Sequence, residues 1–221
     1  MRREIQITSD GSTTIHLPDW DENYHSKHGA IQEAKHVFIK NGLALFENQP
    51  TVDILEIGFG TGLNSFITYL ESKKNQQRIN YVGVEAYPLA KEEVLAMNYV
   101  GELNAVDDFS VYKMMHSCAW EENWKLSDFF TLTKRKQFFE TIDDQSAFDL
   151  IYFDAFGYRV QPELWSVAVF LSMFAALKEN GILVTYAARG VVKRNMIEAG
   201  FTVEKLEGPP GKREMFRARK V

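Results

Sequence analysis

The segment from Val52 to Asn64 constrains this chain most. Val52-Asp53-Ile54-Leu55-Glu56-Ile57 is a short, β-branched and apolar run, the pattern of a strand covered on both faces. It stops at Gly58-Phe59-Gly60-Thr61-Gly62, after which apolar residues recur at Leu63, Phe66, Ile67 and Leu70, a spacing that predicts a helix. Gly58, Gly60 and Gly62 let the backbone turn tightly and approach a ligand, and the helix behind them offers free N–H groups. The G-x-G-x-G spacing lacks the final glycine of the dinucleotide fingerprint, and no Gly-Lys-Ser/Thr follows, so neither a nicotinamide dinucleotide nor a P-loop nucleotide is specified.

The rest of the chain continues the alternation. Strands are expected at 79–84, 129–133, 148–153, 181–186, 201–206 and 214–218. Helices are expected from Pro88, at 137–142, at 164–177 after Pro162, and at 191–199; 98–127 reads as an irregular helical insertion. Apolar strands alternating with helices give an α/β fold with a mostly parallel sheet covered on both faces. Gly208-Pro209-Pro210-Gly211 closes it with an antiparallel hairpin. Ahead of this unit, residues 1–45 read as an extension: a hairpin over 1–17 turning at Asp10-Gly11, a polar aromatic loop over 18–28 and a helix over 29–40. The main domain is then 46–221.

In such sheets ligands bind at the carboxyl ends of the strands. Glu85 ends the second strand, where a carboxylate can accept both hydroxyls of a ribose, and Glu56, just before the glycines, can meet an amine or a sulfonium. A glycine loop with an acid at the next strand end resembles the S-adenosylmethionine (AdoMet) site of class I methyltransferases; the plainer alternative is a tight turn and an exposed strand end. Asp154 closes the most apolar strand, and Phe156 and Tyr158 follow it. A carboxylate there suits methyl transfer to nitrogen, because it can accept the N–H of an amine and align its lone pair. The alternatives are a helix cap for Asp154 and loop packing for the two rings. Tyr24, His25, His28, Glu33 and His36 fit no zinc spacing, so no metal is expected. The single cysteine, Cys118, rules out an intrachain disulfide.

Charge argues in two directions. Twenty-five Lys and Arg against 30 Asp and Glu leave a formal net charge of −5, which does not favour nucleic acid on whole-molecule electrostatics. Local basic clusters at Lys134-Arg135-Lys136, at Arg189, Lys193 and Arg194, and from Lys212 and Arg213 to Arg217, Arg219 and Lys220 can be solvated surface or phosphate contacts. No apolar run reaches the ~20 residues of a spanning helix and the N-terminus has no apolar signal core. A cytoplasmic protein without a membrane partner is expected.

Several longer motifs combine: Tyr24-His25-Ser26-Lys27 before Gly29-Ala30-Ile31-Gln32-Glu33-Ala34, Glu56-Ile57-Gly58-Phe59-Gly60-Thr61-Gly62-Leu63-Asn64, Asp154-Ala155-Phe156 with Pro162-Glu163-Leu164-Trp165, and Gly211-Lys212-Arg213-Glu214-Met215. Together they resemble the MnmC methyltransferase family of tRNA wobble-uridine modification. That resemblance implies a class I, Rossmann-like fold with a seven-stranded sheet, AdoMet as donor, and methylation of the primary amine of 5-aminomethyl-2-thiouridine in tRNA. It places Glu56, Gly58, Gly60, Gly62 and Asn64 around the donor, Glu85 on its ribose and Asp154 against the acceptor amine; apart from the resemblance, Phe156 and Tyr158 can stack on a planar substrate group, and local charge offers Lys212, Arg213, Arg217 and Arg219 as contacts to tRNA phosphate. The sequence departs from the family at Asp154-Ala155-Phe156-Gly157-Tyr158, where D-G-F-A-P is common, and at Lys134-Arg135-Lys136, where an acid often stands. Ending at Val221, the chain is expected to act alone, without the fused flavin oxidase domain; its oligomeric state is left open. Two alternatives remain: a methyltransferase of another amine, and a non-catalytic AdoMet- or RNA-binding module.

Overall fold

The computed structural model describes residues 2–221. The chain opens on the expected hairpin, β1 (Glu4–Ile7) and β2 (Thr13–Leu17), with Glu4 opposite His16 and Ile7 opposite Thr13. The stretch expected to be loop adds a third short strand, β3 (Glu22–Asn23), paired with the end of β2. Helix α1 (Ala30–Ala34) runs on as a wider π-helical turn to Lys40. These elements do not stand apart: Ile15, Leu17 and Phe38 share one hydrophobic cluster with Phe59, Leu63 and Tyr152.

The central sheet is built from β4 (Thr51–Ile57), β5 (Arg78–Val84), β6 (Asn123–Ser127), β7 (Phe130–Arg135), β8 (Phe148–Phe153), β9 (Leu177–Thr185), β10 (Thr202–Glu207) and β11 (Glu214–Arg219), in the spatial order β10-β11-β9-β8-β4-β5-β7-β6. Between them run α2 (Leu63–Asn75), α3 (Lys91–Leu95), α4 (Tyr99–Glu102), α5 (Phe109–Ser117), α6 (Val167–Ala176) and α7 (Gly190–Glu198). β4 pairs in parallel with β5 and with β8, β5 with β7, and β8 with β9. β11 runs antiparallel to both β9 and β10, which closes the sheet with the expected hairpin.

Seven of these strands are the expected ones. The eighth, β6, lies in the segment expected to be helical to residue 127: the helices end at Ser117, and Asn123–Ser127 pairs antiparallel with β7 at the sheet edge. The helix expected at 137–142 is a single 3-10 turn at Phe139–Thr141. The helix expected over 164–177 begins one turn late, because the Ser166 side chain accepts the Val169 N–H (3.4 Å) and caps α6.

Side-chain alternation splits the core in two. Val52, Ile54, Leu150 and Tyr152 face Phe38 and Phe66 on one side of the sheet, while Leu55, Ile57, Ile151 and Phe153 face Trp165 and Phe170 on the other. Strand order reverses between β4 and β8, the switch point at which such sheets leave a crevice. Gly58 and Asp154 are the residues that follow these two strands. Among the described residues no helix is long and apolar enough to cross a membrane.

Candidate active site

At the carboxyl ends of the central strands lies a cavity of about 690 Å³, within the ~300–1,000 Å³ usual for small-molecule sites. Its floor is the glycine loop. Gly58, Gly60 and Gly62 all have positive φ (+90°, +47° and +70°), a region costly for any residue with a Cβ. Gly58 has a second reason: a Cβ there would stand 2.6 Å from the carbonyl oxygen of Asp154. The loop is held from below by the N–H groups of Gly58 and Phe59, which both donate to the Val84 carbonyl at 3.0 Å. The Phe59 ring folds over Gly83 of β5, where a Cβ would lie 2.4 Å from it.

Glu85 accepts the Gly60 N–H at 3.0 Å through Oε2 and the Tyr87 N–H at 2.9 Å through Oε1. A carboxylate has about four lone-pair positions, so one on each oxygen remains for a ligand. The other acid group is a three-residue bridge. Asn64 Nδ2 donates to Glu56 Oε1 at 2.9 Å and to Asp154 Oδ2 at 2.8 Å. Both carboxylates can only accept when ionised, which fixes the orientation of the amide between them. Asn64 Oδ1 is buried and has no partner among the described residues.

Burial, with the nearby charge of Glu33, pushes the Asp154 carboxyl up to about 7, against the pull of Asn64 and of Lys212. Burial and the charge of Asp154 push Glu56 well above the usual carboxylate range. Two carboxyls joined through one amide thus sit in different environments: Glu56 fully enclosed, Asp154 on the cavity wall.

The structure brings Gly58, Gly60, Asn64, Glu85, Asp154 and Phe156 to one cavity. Glu56 is 0% exposed and lies behind Asn64, so it does not reach the space in which a sulfonium or amine could meet it. Gly62 is the left-handed residue that starts α2, packed against His116. Tyr158, Lys212 and Arg213 line a neighbouring cavity of about 440 Å³, with Tyr186 as the partition between the two. Lys212 is committed there: its ammonium pairs with Glu33 and lies 3.8 Å from the centre of the Tyr186 ring.

The extension supplies a wall that the sequence did not announce. Trp20 and Tyr24 meet Phe156 edge-on, with centroids 5.8 and 5.0 Å apart. Tyr24 also rests on the glycine loop, 3.2 Å from where a Gly60 Cβ would be. His25 sits between the hydroxyls of Thr14 (3.2 Å) and Thr61 (3.4 Å). Burial holds its pKa down at about 4, so it is neutral. The signal was present as a cluster of aromatic and histidine residues in an otherwise polar stretch.

Comparison with known proteins gives the same direction. The model of a family described as S-adenosyl-L-methionine-dependent methyltransferase matches residues 123–221. The tRNA 5-methylaminomethyl-2-thiouridine biosynthesis bifunctional protein MnmC of Burkholderia multivorans is 31% identical over 218 residues, 92% of this chain and 33% of that protein. The protein of the same name from Cupriavidus metallidurans is 30% identical over 229 residues, 96% of this chain and 33% of the relative. The chain therefore spans about a third of the length of the curated relatives it matches. Among solved structures, MNMC2 from Aquifex aeolicus superposes with a TM-score of 0.75 at 21% identity, covering 98% of this chain and 70% of that one. Spermidine synthase from Thermotoga maritima gives 0.52 at 10% identity, covering 100% and 72%. At these identities both are likenesses of fold. Together with the glycine loop at the sheet's switch point, these findings make the chain similar over residues 123–221 to the S-adenosyl-L-methionine-dependent methyltransferases, and over nearly its whole length to about a third of the MnmC proteins.

Proposed function

We propose that the chain methylates the primary amine of 5-aminomethyl-2-thiouridine at the wobble position of tRNA, a step that fits the 5-methylaminomethyl-2-thiouridine biosynthesis for which its relatives are named. AdoMet supplies a methyl group already electrophilic on its sulfonium. The residues present fit that donor. Gly58 and Gly60 offer a floor without Cβ atoms, Glu85 keeps a free lone pair on each oxygen for a ribose diol, and Asn64 Oδ1 is a buried acceptor without a partner among the described residues. Glu56 contributes from behind by holding Asn64.

The observation that carries the reading is the state of Asp154. Asn64 pins Oδ2, while Oδ1 makes no hydrogen bond among the described residues and belongs to a residue on the cavity wall. Methyl transfer to nitrogen needs no strong base, because the amine attacks through its lone pair. It needs a neutral amine held in line. An acceptor carboxylate fixes the N–H and hence the lone pair, and with its pKa near 7 it can take the proton that the new ammonium releases. Trp20, Tyr24 and Phe156 offer apolar faces for a planar pyrimidine and keep water from the reacting atoms. The expected cytoplasmic setting follows from this reading, as the place where tRNA is modified.

The test is transfer of labelled methyl from AdoMet to tRNA carrying the aminomethyl group, with the nucleosides resolved by mass spectrometry. Conversion of 5-aminomethyl- to 5-methylaminomethyl-2-thiouridine is expected. Retained AdoMet binding with no label in that tRNA sinks the assignment.

A further inference from the structure

Tyr186 has a second side. Beyond it, the cavity of about 440 Å³ lies between the loop at 157–159, the start of α7 and the turn after β10. Its acids are already committed. Glu22 reaches Arg159 at 3.5 Å, Glu214 pairs with Lys205 at 3.1 Å, and Glu33 holds Lys212 from the core side. The Arg159 guanidinium is itself occupied by the carbonyls of Trp20 (3.0 Å) and Asp21 (2.7 Å).

Two cations are left over. Arg189 and Arg213 are exposed, line this cavity and enter no salt bridge among the described residues. Arg189 lies 5.8 Å over the Tyr158 ring, a contact that orients a guanidinium without neutralising it. Lys193 stands one turn further along α7, also without a salt bridge. In a protein of net charge −5, this is a local positive surface one side chain away from Asp154.

The position of Asp154 adds a geometric demand. It sits in a cavity roofed by Trp20 and Tyr24, so a stacked, paired base cannot present its edge there. A nucleotide must enter as an extruded or unpaired base, leaving its phosphates outside. We propose that the Arg189–Arg213 ledge docks the RNA phosphodiester that flanks the extruded target nucleotide. This rests on the tRNA reading above and adds to it where the backbone runs and which strand state is accepted.

The experiment uses a stem-loop RNA with 5-aminomethyl-2-thiouridine in its loop, and the double variant Arg189→Ala, Arg213→Ala. The KM for RNA should rise on the order of tenfold. The slope of log KM against log salt should fall by roughly 1.4, at ~0.7 per phosphate contact on a single strand. The kcat at saturating RNA and the AdoMet Kd should stay within twofold, and Lys136→Ala, an exposed cation outside both cavities, should change nothing. The same nucleotide locked in a duplex should be a poor substrate. An unchanged KM and salt slope in the double variant overturns the ledge, as does an equal loss in Lys136→Ala or efficient methylation of the duplex. Failure of the tRNA reading looks different: the wild-type protein would then leave every RNA unmethylated while still accepting a small amine.

Discussion

Replacing Asn64 with alanine tests the carboxylate bridge directly. In the wild-type protein Asn64 Nδ2 donates to Asp154 Oδ2 at 2.8 Å and stabilises its ionised form, while burial raises the carboxyl to about 7. A hydrogen bond to a charged group contributes ~1.5–3 kcal/mol, which at 1.36 kcal/mol per pH unit is ~1–2 units of pKa. Asp154 borders the cavity, so water replaces part of the bond and the lower end applies. The Asp154 carboxyl of the variant should then titrate near ~8. If the carboxylate is the active form, the wild-type rate falls about tenfold per unit below pH 7. In the variant that acid limb moves up by ~1 unit. At pH 7 the ionised fraction drops from about one half to about a tenth, a roughly fivefold loss that disappears by pH ~9.5. The assay is labelled-methyl transfer at saturating AdoMet across pH 6–10. The acceptor amine's own ionisation is common to both enzymes, so the displacement isolates Asp154. A limb that stays in place, or moves to lower pH, refutes the reasoning and leaves Asn64 as a residue that only shapes the loop.

Four further outcomes are expected. Asp154→Asn should cut kcat by ~10²–10⁴ while donor affinity changes only a few-fold; a comparable loss of AdoMet binding would instead make Asp154 part of the donor site. The same variant should alter the pH dependence of stability. A carboxyl raised from 3.8 to about 7 binds its proton more tightly in the folded state, so its contribution is present in acid and is lost as pH climbs from ~4 through ~7. Thermal melts without donor should therefore show the variant gaining on the wild type at pH 8 relative to pH 5, and parallel curves would count against the raised pKa. Gly58→Ala, at φ +90° with its Cβ 2.6 Å from the Asp154 carbonyl, should destabilise the fold by at least ~1–2 kcal/mol in urea titration and weaken AdoMet binding. Trp165→Phe removes an Nε1–H donated to the Phe156 carbonyl at 2.8 Å; freeing that loop should raise the acceptor KM several-fold with the AdoMet Kd unchanged, and equal changes in both would argue for general loosening.

Much of the fold was written in local pattern. β4 and β8 are mostly apolar, broken only by Thr51, Asp53, Glu56 and Asp149, because both of their faces are covered, and β10 and β11 flank a Gly-Pro-Pro-Gly turn that permits little else. β6 escaped because an edge strand carries half the signal. Its Asn-Trp-Lys-Leu-Ser alternation buries only the side of Trp124 and Leu126, over five residues, inside a region whose preceding helices set the opposite expectation. β3 is shorter still and exists through its pairing with β2, a tertiary condition that no two-residue pattern reveals.

The two halves of the site differ in the same way. The glycine loop and Glu85 lie on consecutive strands of one βαβ unit, so both could be read from 58 to 85 without knowing the fold. The acceptor half is assembled from distant segments. Phe156 meets Trp20 and Tyr24 from the extension, and Lys212 crosses 179 positions to Glu33. A basic residue near the end of the chain reads as a phosphate contact until the fold sets a carboxylate against it. Lys212 then becomes one of the charges that tune Asp154, lowering a carboxyl that burial and Glu33 raise. The extension is thereby coupled to the chemistry: Glu33, from α1, both neutralises Lys212 and opposes ionisation of Asp154. A truncation before α1 would remove the aromatic roof and leave Glu33 and Lys212 without their fixed geometry, so loss of acceptor recognition and an altered pH profile should appear together.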